Sequence, residues 1–361
     1  IVVDPRFSVA ASKAKYWLPI KPGTDLALLL AWMNVLVTEG RYDQAFVAKY
    51  GHGFDRFAAE IKAYTPEWAA TETGIDASLI RITAREFANR RPATIVHPGR
   101  RVNWNGDDTQ RSRAIALLSA LLGNWGRKGG LYLSAGIKVK PFPLPKYPKS
   151  DKPHADNPGG ERYPFADEQV TTGIREATIT GKPYPIKGWF VYATNLIHAM
   201  PNQEETIRAI RALDLLVVVD VIPSEIAGWA DVVLPEATYL ERYDDLNVET
   251  FREPFIALRQ PVVTPPADQK PNWWIARELA LKLGLGAYYP WHDIEEYLDY
   301  RLQGAGLSLA ELKKKGLVRG PQQPLYFEDG VPVEFPTPSG KIEFYSTQLK
   351  DAGFDPVPRY T

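Results

Sequence analysis

Apolar positions recur at helical spacing between Asp25 and Glu39, where Leu26, Leu29, Leu30, Met33, Leu36 and Val37 share one face. Thr24 stands where an N-cap belongs. The same periodicity predicts a helix from Asp76 to Asn89, built on Leu79, Ile80, Ile82 and Phe87, and another from Asp107 to Leu122, closed by Gly123. Val2-Val3 reads as a strand end, and Ala93-Thr94-Ile95-Val96 as a short buried strand. Strands that alternate with helices predict a parallel sheet.

A second such unit follows. Trp189 to Ala193 is a strand, Asn202 to Ala212 a helix, and Leu215 to Asp220 a continuous apolar strand of the kind covered on both faces. A short helix over Ser224 to Trp229 and a strand over Ala230 to Leu234 complete a βαβαβ pattern. Beyond it, Arg252 to Val263 is strand-like. Asn272 to Leu283, His292 to Leu302 and Ser308 to Lys315 are helical, and Leu325 to Phe335 is a hairpin turning at Asp329-Gly330.

Between these units lie seven prolines, from Pro141 to Pro164, with Asp156-Asn157-Pro158-Gly159-Gly160 among them. No regular element tolerates that density. The segment is an ordered excursion or a mobile linker; Phe142, Tyr147, Tyr163 and Phe165 favour the former as anchors. The predicted fold class is α/β, with two doubly wound, mainly parallel-sheet domains of the dinucleotide-binding type. The predicted divisions are 1–140, the proline-rich excursion 141–187, and 188–361, which takes in the trailing helices, hairpin and linker. Ile1 to Asp4 reads as the second half of a strand and Pro356 to Thr361 as a linker, so the chain is expected to be the central portion of a longer one.

Composition narrows the function classes. The 361 residues hold 43 Lys+Arg and 43 Asp+Glu. A chain with no net charge is a poor candidate for a nucleic-acid binder that works through a global positive field. No apolar run approaches the ~20 residues that span a bilayer. With no Cys, the chain holds no disulfide, no Cys nucleophile and no thiolate ligand for zinc or iron–sulfur clusters.

Ligands of open α/β sheets bind at the carboxyl ends of the strands. After the first strand stand Asp4-Pro5-Arg6. They suit a ribose diol and a phosphate, or equally a cap and a surface ion pair. Lys21-Pro22-Gly23-Thr24-Asp25 opens a helix, whose N–H groups favour an anion or a base edge. The Asp25 carboxylate matches the paired donors of guanine, or simply complements the helix dipole. His97-Pro98-Gly99-Arg100-Arg101 follows the 93–96 stretch; Gly99 permits a tight turn and the two arginines suit an anionic substrate. Asn195 follows one strand of the second unit, and Asp220 ends the next, 25 residues on. The turn Ala193-Thr194-Asn195 lacks the GxGxxG of a nicotinamide site, which disfavours a soluble NAD dehydrogenase.

Six short blocks, in order, carry a family resemblance. They are Val3 to Arg6, Pro19 to Ala27, Ala114 to Gly130 with Leu121-Leu122-Gly123-Asn124-Trp125-Gly126-Arg127-Lys128-Gly129-Gly130, Ala230 to Pro235, Leu240-Glu241-Arg242, and Pro336 to Glu343. The chain resembles the central part of the catalytic subunits of molybdenum or tungsten bis(molybdopterin guanine dinucleotide) oxidoreductases, the dimethyl-sulfoxide-reductase superfamily. Within it, the chain looks most like polysulfide and thiosulfate reductases. The resemblance implies that each α/β domain binds one guanine dinucleotide arm. It assigns Asp4, Arg6, Lys21, Gly23, Thr24, Asp25, Gly99, Asn195, Asp220 and Asp231 to the cofactor, and Arg100 or Arg101 to a small anionic sulfur substrate near the metal. It also implies a 4Fe–4S cluster in a preceding segment, an iron–sulfur partner subunit with a membrane anchor, and an extracytoplasmic (periplasmic) location. Two positions depart from the family pattern: Asn195-Leu196 where Asn-Pro is usual, and Asn247-Val248-Glu249-Thr250-Phe251-Arg252 where Asn-x-Glu-Gly-Arg is common. Formate, nitrate, arsenate and sulfoxide enzymes share the scaffold. So does the metal-free scaffold subunit of NADH–quinone oxidoreductases, which has no need of the retained Asp4, Arg6, Thr24 and Asp25.

Overall fold

The structure is a computed structural model that describes residues 1–97, 108–132, 136–143, 151–160, 163–165 and 170–361. In chain order it begins β1 (Val2–Val3), α1 (Val9–Lys13), β2 (Trp17–Leu18), α2 (Asp25–Thr38), α3 (Gln44–Tyr50), β3 (Gly51–His52), α4 (Phe54–Glu60), α5 (Pro66–Thr73), α6 (Ala77–Arg90) and α7 (Asp108–Leu121). There follow α8 (Thr171–Thr180), β4 (Gly188–Tyr192), α9 (Leu196–Ala199), α10 (Gln203–Arg211), β5 (Leu215–Asp220), β6 (Val232–Pro235), β7 (Asn247–Glu249), β8 (Phe255–Ala257), α11 (Asn272–Lys282), α12 (Ile294–Leu302), α13 (Leu309–Lys315), β9 (Leu317–Arg319), β10 (Ile342–Glu343) and α14 (Thr347–Asp351).

The chain divides into two compact units, Ile1–Ala135 with Gln323–Thr361, and Gly136–Gln322. The last stretch thus belongs with the first unit, whereas the sequence pattern joins it to the second. Two contacts explain this. β10 pairs in parallel with β3, and α7 grips the chain end: Gln110 Nε2 donates to the Asp355 carbonyl and Arg113 Nη2 to that of Pro356, both at 2.9 Å. Val357 is buried, so Pro356–Tyr360 is packed chain rather than a linker.

In the first unit α2 is the centre. Its residues from Leu26 to Leu36 are all buried, not one face only, because α5, α6 and α7 pack around it. The polar groups this buries find partners: Trp32 Nε1 donates to Thr83 Oγ1 at 2.9 Å and Asn34 Nδ2 to the Ile61 carbonyl at 2.9 Å. Among the described residues, parallel pairing here amounts to the short pairs β1–β2 and β3–β10 and the single bridge Trp125↔Leu131. The strand expected over 93–96 does not form. After the turn at Pro92 its amides bond locally, Ala93 N to the Arg90 carbonyl and Thr94 N to that of Pro92, and the Thr94 carbonyl accepts from Asn124 Nδ2. The hairpin over 325–335 is likewise absent. A single 3-10 turn, Phe327–Asp329, is held where Phe327 N donates to the Gly126 carbonyl and its ring covers Gly126.

The second unit holds the parallel sheet β4-β5-β6, in register from Gly188↔Leu215 through Asp220↔Pro235. Its α/β alternation is as the pattern predicts. Val191, Leu216 and Val218 of one face pack on Ile197, Ile210 and Ile226. Phe190, Tyr192 and Val219 look the other way, into a cavity of about 550 Å³ shared with α11. The same unit holds an antiparallel trio β7-β8-β9; the predicted strand over Arg252 to Val263 shrinks to β8. From the proline-rich segment, Phe142 inserts among Tyr289, Trp291 and Tyr297 at ring-centroid distances of 5.6–5.9 Å. At this point the segment is anchored as its aromatics suggest.

Candidate functional site

In the first unit, parallel pairing of Val2-Val3 with Trp17-Leu18 brings Asp4 and Pro19 out on the same carboxyl edge. Asp4 N donates to the Leu18 carbonyl at 3.2 Å, and Trp17 Nε1 to the Asp4 carbonyl at 2.8 Å. Asp4 Oδ1 accepts from Arg6 N at 2.8 Å, which turns the chain and leaves Arg6 exposed. Across the edge, Lys21 N donates to the Thr73 carbonyl at 2.9 Å, fixing the loop that leads into α2.

Thr24 occupies the N-cap position, but its hydroxyl donates to the Lys21 carbonyl at 2.7 Å rather than capping. Thr24 thus holds the expected N-cap position without its side chain capping the helix, and Asp25 sits in the first turn of α2. Gly23 has φ +87°, and a Cβ there would meet nothing within 4 Å. The edge therefore offers uncapped N–H donors, a carboxylate in the first turn, an aspartate with one oxygen engaged, and two exposed cations. That donor and acceptor set fits the tail of a nucleotide. Gly99, Arg100 and Arg101 lie outside the described residues.

In the second unit, the carboxyl ends of three parallel strands carry Asn195, Asp220 and Glu236. Where a glycine fingerprint would turn, Ala193 takes φ 52°, a left-handed conformation uncommon for a side-chain-bearing residue. Asn195 Nδ2 donates to Glu225 Oε2, and His198 Nε2 lies 3.0 Å from Glu225 Oε1. Glu225 is held below the usual carboxylate range by its own backbone N–H and then by His198. Asn195 Oδ1 is buried without a hydrogen-bond partner among the described residues. Asp220 is engaged: Oδ1 accepts from Val221 N at 2.7 Å and Oδ2 from Ser224 Oγ at 2.9 Å, which fixes the loop after β5.

Asp231 does not join this group. It precedes β6, and its Oδ2 accepts from Leu216 N at 2.7 Å, near the start of β5. A residue before a parallel strand lies on the amino edge, so Asp231 closes a strand end opposite Asn195 and Asp220. Sequence reasoning missed the acid at the end of that strand. Glu236, 3% exposed, accepts from Tyr192 Oη at 2.9 Å and from Arg242 Nη1. Asn272 Nδ2 donates to the same Tyr192 oxygen at 2.9 Å. The available signal was position: Glu236 follows Pro235, the last residue of β6.

Residues 1–282 match the family of molybdopterin oxidoreductases. The chain is 37% identical to the thiosulfate reductase molybdopterin-containing subunit of Salmonella typhimurium, over 96% of this chain and 51% of that protein. It is 31% identical to acetylene hydratase of Syntrophotalea acetylenica, over 100% of this chain and 53% of that one. Dimethyl sulfoxide reductase of Escherichia coli is 30% identical, again with 51% of its length covered. Among solved structures, acetylene hydratase from Pelobacter acetylenicus superposes with a TM-score of 0.85 at 29% identity, over 99% of this chain and 53% of that one. The chain thus spans about half the length of the relatives it matches. Sequence and fold agree across both units, and the chain belongs to the molybdopterin oxidoreductase family.

Proposed function

We propose that the chain is the nucleotide-binding portion of a molybdenum or tungsten bis(molybdopterin guanine dinucleotide) enzyme that reduces thiosulfate or polysulfide. The observation that carries this reading is the pair of carboxyl edges, Asp4, Arg6 and Lys21–Asp25 in one unit and Asn195, Asp220, Glu225 and Glu236 in the other. The identity of 37% to a thiosulfate reductase subunit favours the sulfur substrate.

When bound, the pterin-held metal supplies two-electron chemistry, and the protein supplies placement and charge. Lys21 and Arg6 would offset phosphate charge, with the N–H groups of the first turn of α2 facing the same group, since the Thr24 N–H is held by the Lys21 carbonyl. Asp25 would accept from the paired N–H groups of guanine, and Asp4 from a ribose hydroxyl. In the second unit Asn195 and Glu225 would hold the other arm, with Asp220 fixing the loop after β5. For thiosulfate, the S–S bond takes up two electrons and one proton and breaks into sulfite and hydrosulfide. Arg100 or Arg101 would hold the anionic substrate. A 4Fe–4S cluster in this reading takes its thiolates from outside these residues, which contain no Cys. An iron–sulfur subunit, a membrane anchor and an extracytoplasmic site complete the proposal and rest on the family resemblance.

The test is metal, pterin and guanine content of the protein, with reduction of thiosulfate and polysulfide assayed under a two-electron donor. Asp25→Ala is expected to lower guanine and metal together. Arg100→Ala and Arg101→Ala are expected to leave them in place and to cut turnover in at least one variant. Absence of metal and pterin would favour the scaffold reading. The likeness to acetylene hydratase makes hydration of an alkyne the second reading, assayed on the same preparation without a donor.

A further inference from the structure

Phe7 is a large aromatic side chain left 60% exposed, directly after Asp4-Pro5-Arg6 on the carboxyl edge of β1 and β2. It is not loosely placed. Its ring stands 4.8 Å from that of Trp17, at 62°, edge to face. Trp17 is itself pinned, because its Nε1 donates to the Asp4 carbonyl at 2.8 Å. On the other side the chain is fixed where Ser8 N donates to the Arg6 carbonyl at 2.8 Å and Ser8 Oγ accepts from Ala11 N at 3.3 Å. Four consecutive residues thus present an acceptor, a cation and a fixed aromatic surface, beside the uncapped start of α2.

Each of these suits one part of a nucleotide: a carboxylate for the ribose diol, a guanidinium for phosphate, and a ring for the face of the base. Stacking on a base needs an aromatic surface that is exposed but held, so that little freedom is lost on binding. Burial of Phe7 in the core would have removed that surface, and a mobile ring would have weakened its use.

We propose that Phe7 is the stacking platform for the purine base of the nucleotide bound at this edge. The inference rests on the reading that this edge binds a nucleotide, and it adds a recognition element that the polar residues do not supply. It also explains why Trp17, a residue of a two-residue strand, turns its indole toward Asp4 and Phe7.

The experiment uses the full chain made in a host that produces no molybdopterin, titrated with GDP and, separately, with inorganic pyrophosphate by calorimetry. Phe7→Ala and Phe7→Leu are expected to weaken GDP by about tenfold and to leave pyrophosphate unchanged, while Phe7→Tyr retains GDP, the size following from base–aromatic stacking. Quenching of tryptophan fluorescence by GDP, read against Trp17→Phe, should shrink in Phe7→Ala. Unchanged GDP affinity in Phe7→Ala and Phe7→Leu, with loss in Asp25→Asn, would overturn the stacking role and leave the nucleotide edge standing. Equal losses for GDP and pyrophosphate would reduce Phe7 to a structural role and also overturn it. No GDP binding by the unaltered chain would remove the edge and the stacking platform together.

Discussion

Tyr192 ends β4 and Glu236 directly follows β6, two strands that are not neighbours, and a hydrogen bond of 2.9 Å joins these residues over the end of the strand between. Burial, and next the bond to Glu236, hold the Tyr192 phenol above its ordinary value. For Arg242 burial acts downward. The hydrogen bond to Asp244 and the charges of Glu236 and Asp244 outweigh it and leave the guanidinium above its ordinary value. Tyr192→Phe removes one hydrogen bond and is expected to cost about 1 kcal/mol. Arg242→Ala strands a buried carboxylate and is expected to cost about 3–5 kcal/mol. Urea unfolding checks both, and equal costs would mean that Glu236 has no need of the guanidinium. The pH arm follows from the sign. A phenol raised in the folded state contributes stability that is whole below about pH 10 and lost as the pH rises through the higher folded value. Tyr192→Phe should flatten part of that alkaline loss.

Strand β5 was legible to the residue, Leu215–Asp220, because an unbroken apolar run ending in an acid has few other readings. The position of Asp4 and Asp220 at strand ends is legible for the same reason. The amino-edge position of Asp231 is not legible, because a motif shows that an aspartate adjoins a strand but not at which end. Glu236 and Tyr192 were missed because their partners, Arg242 and Asn272, come from separate loops and helices. The return of β10 to β3, and the absence of strands at 93–96 and 325–335, depend on distant contacts through Phe344, Asn124 and Gly126 that local propensity does not encode.

Glu39 ties the end of α2 to α6. Arg85 Nη2 donates to Oε1 at 2.7 Å, Arg85 Nε to Oε2 at 3.0 Å, and Arg41 Nε to Oε2 at 2.9 Å. The Arg85 bonds, opposed by burial, hold this carboxyl below its ordinary value of 4.5. A carboxyl depressed in the folded state contributes stability that is present above that ordinary value and lost as the pH falls through the lower folded one. Thermal unfolding followed from pH 6 down to about pH 2.5 should show a shallower acid loss in Glu39→Gln than in the unaltered chain. An unchanged slope would refute the assignment.

Arg113 is mostly buried in α7, and burial pulls it down to about 10, so it stays charged at neutral pH. Its two outer nitrogens donate to Gln110 Oε1 and to the Pro356 carbonyl, each at 2.9 Å. Arg113→Ala is expected to cost about 1.5–3 kcal/mol, the range for hydrogen bonds to a charged group. The loss should appear first as local release of the chain end. Limited trypsin digestion should then cut at Lys350 or Arg359 sooner than elsewhere, and a digestion pattern identical to that of the unaltered chain would count against the clamp.

Gly23 and Gly123 separate backbone strain from steric conflict. Both are left-handed, at φ +87° and +64°. A Cβ on Gly23 would meet nothing within 4 Å, whereas one on Gly123 would lie 2.6 Å from Asp43 Oδ2. Asp43 is not free to yield, since its Oδ1 caps α3 by accepting from Phe46 N at 3.0 Å and its Oδ2 accepts from Arg127 at 2.7 Å. Gly23→Ala therefore carries only the conformational cost, about 1–2 kcal/mol. Gly123→Ala adds the loss of a helix cap, about another 1 kcal/mol, and displacement of the Arg127 pair. Urea midpoints of the two variants should differ in that order. Gly23→Ala should also weaken GDP, because turning the Lys21–Asp25 loop out of its left-handed step moves the N–H groups that would face phosphate. Gly123→Ala, away from that loop, should lose stability while GDP affinity at low temperature stays near that of the unaltered chain.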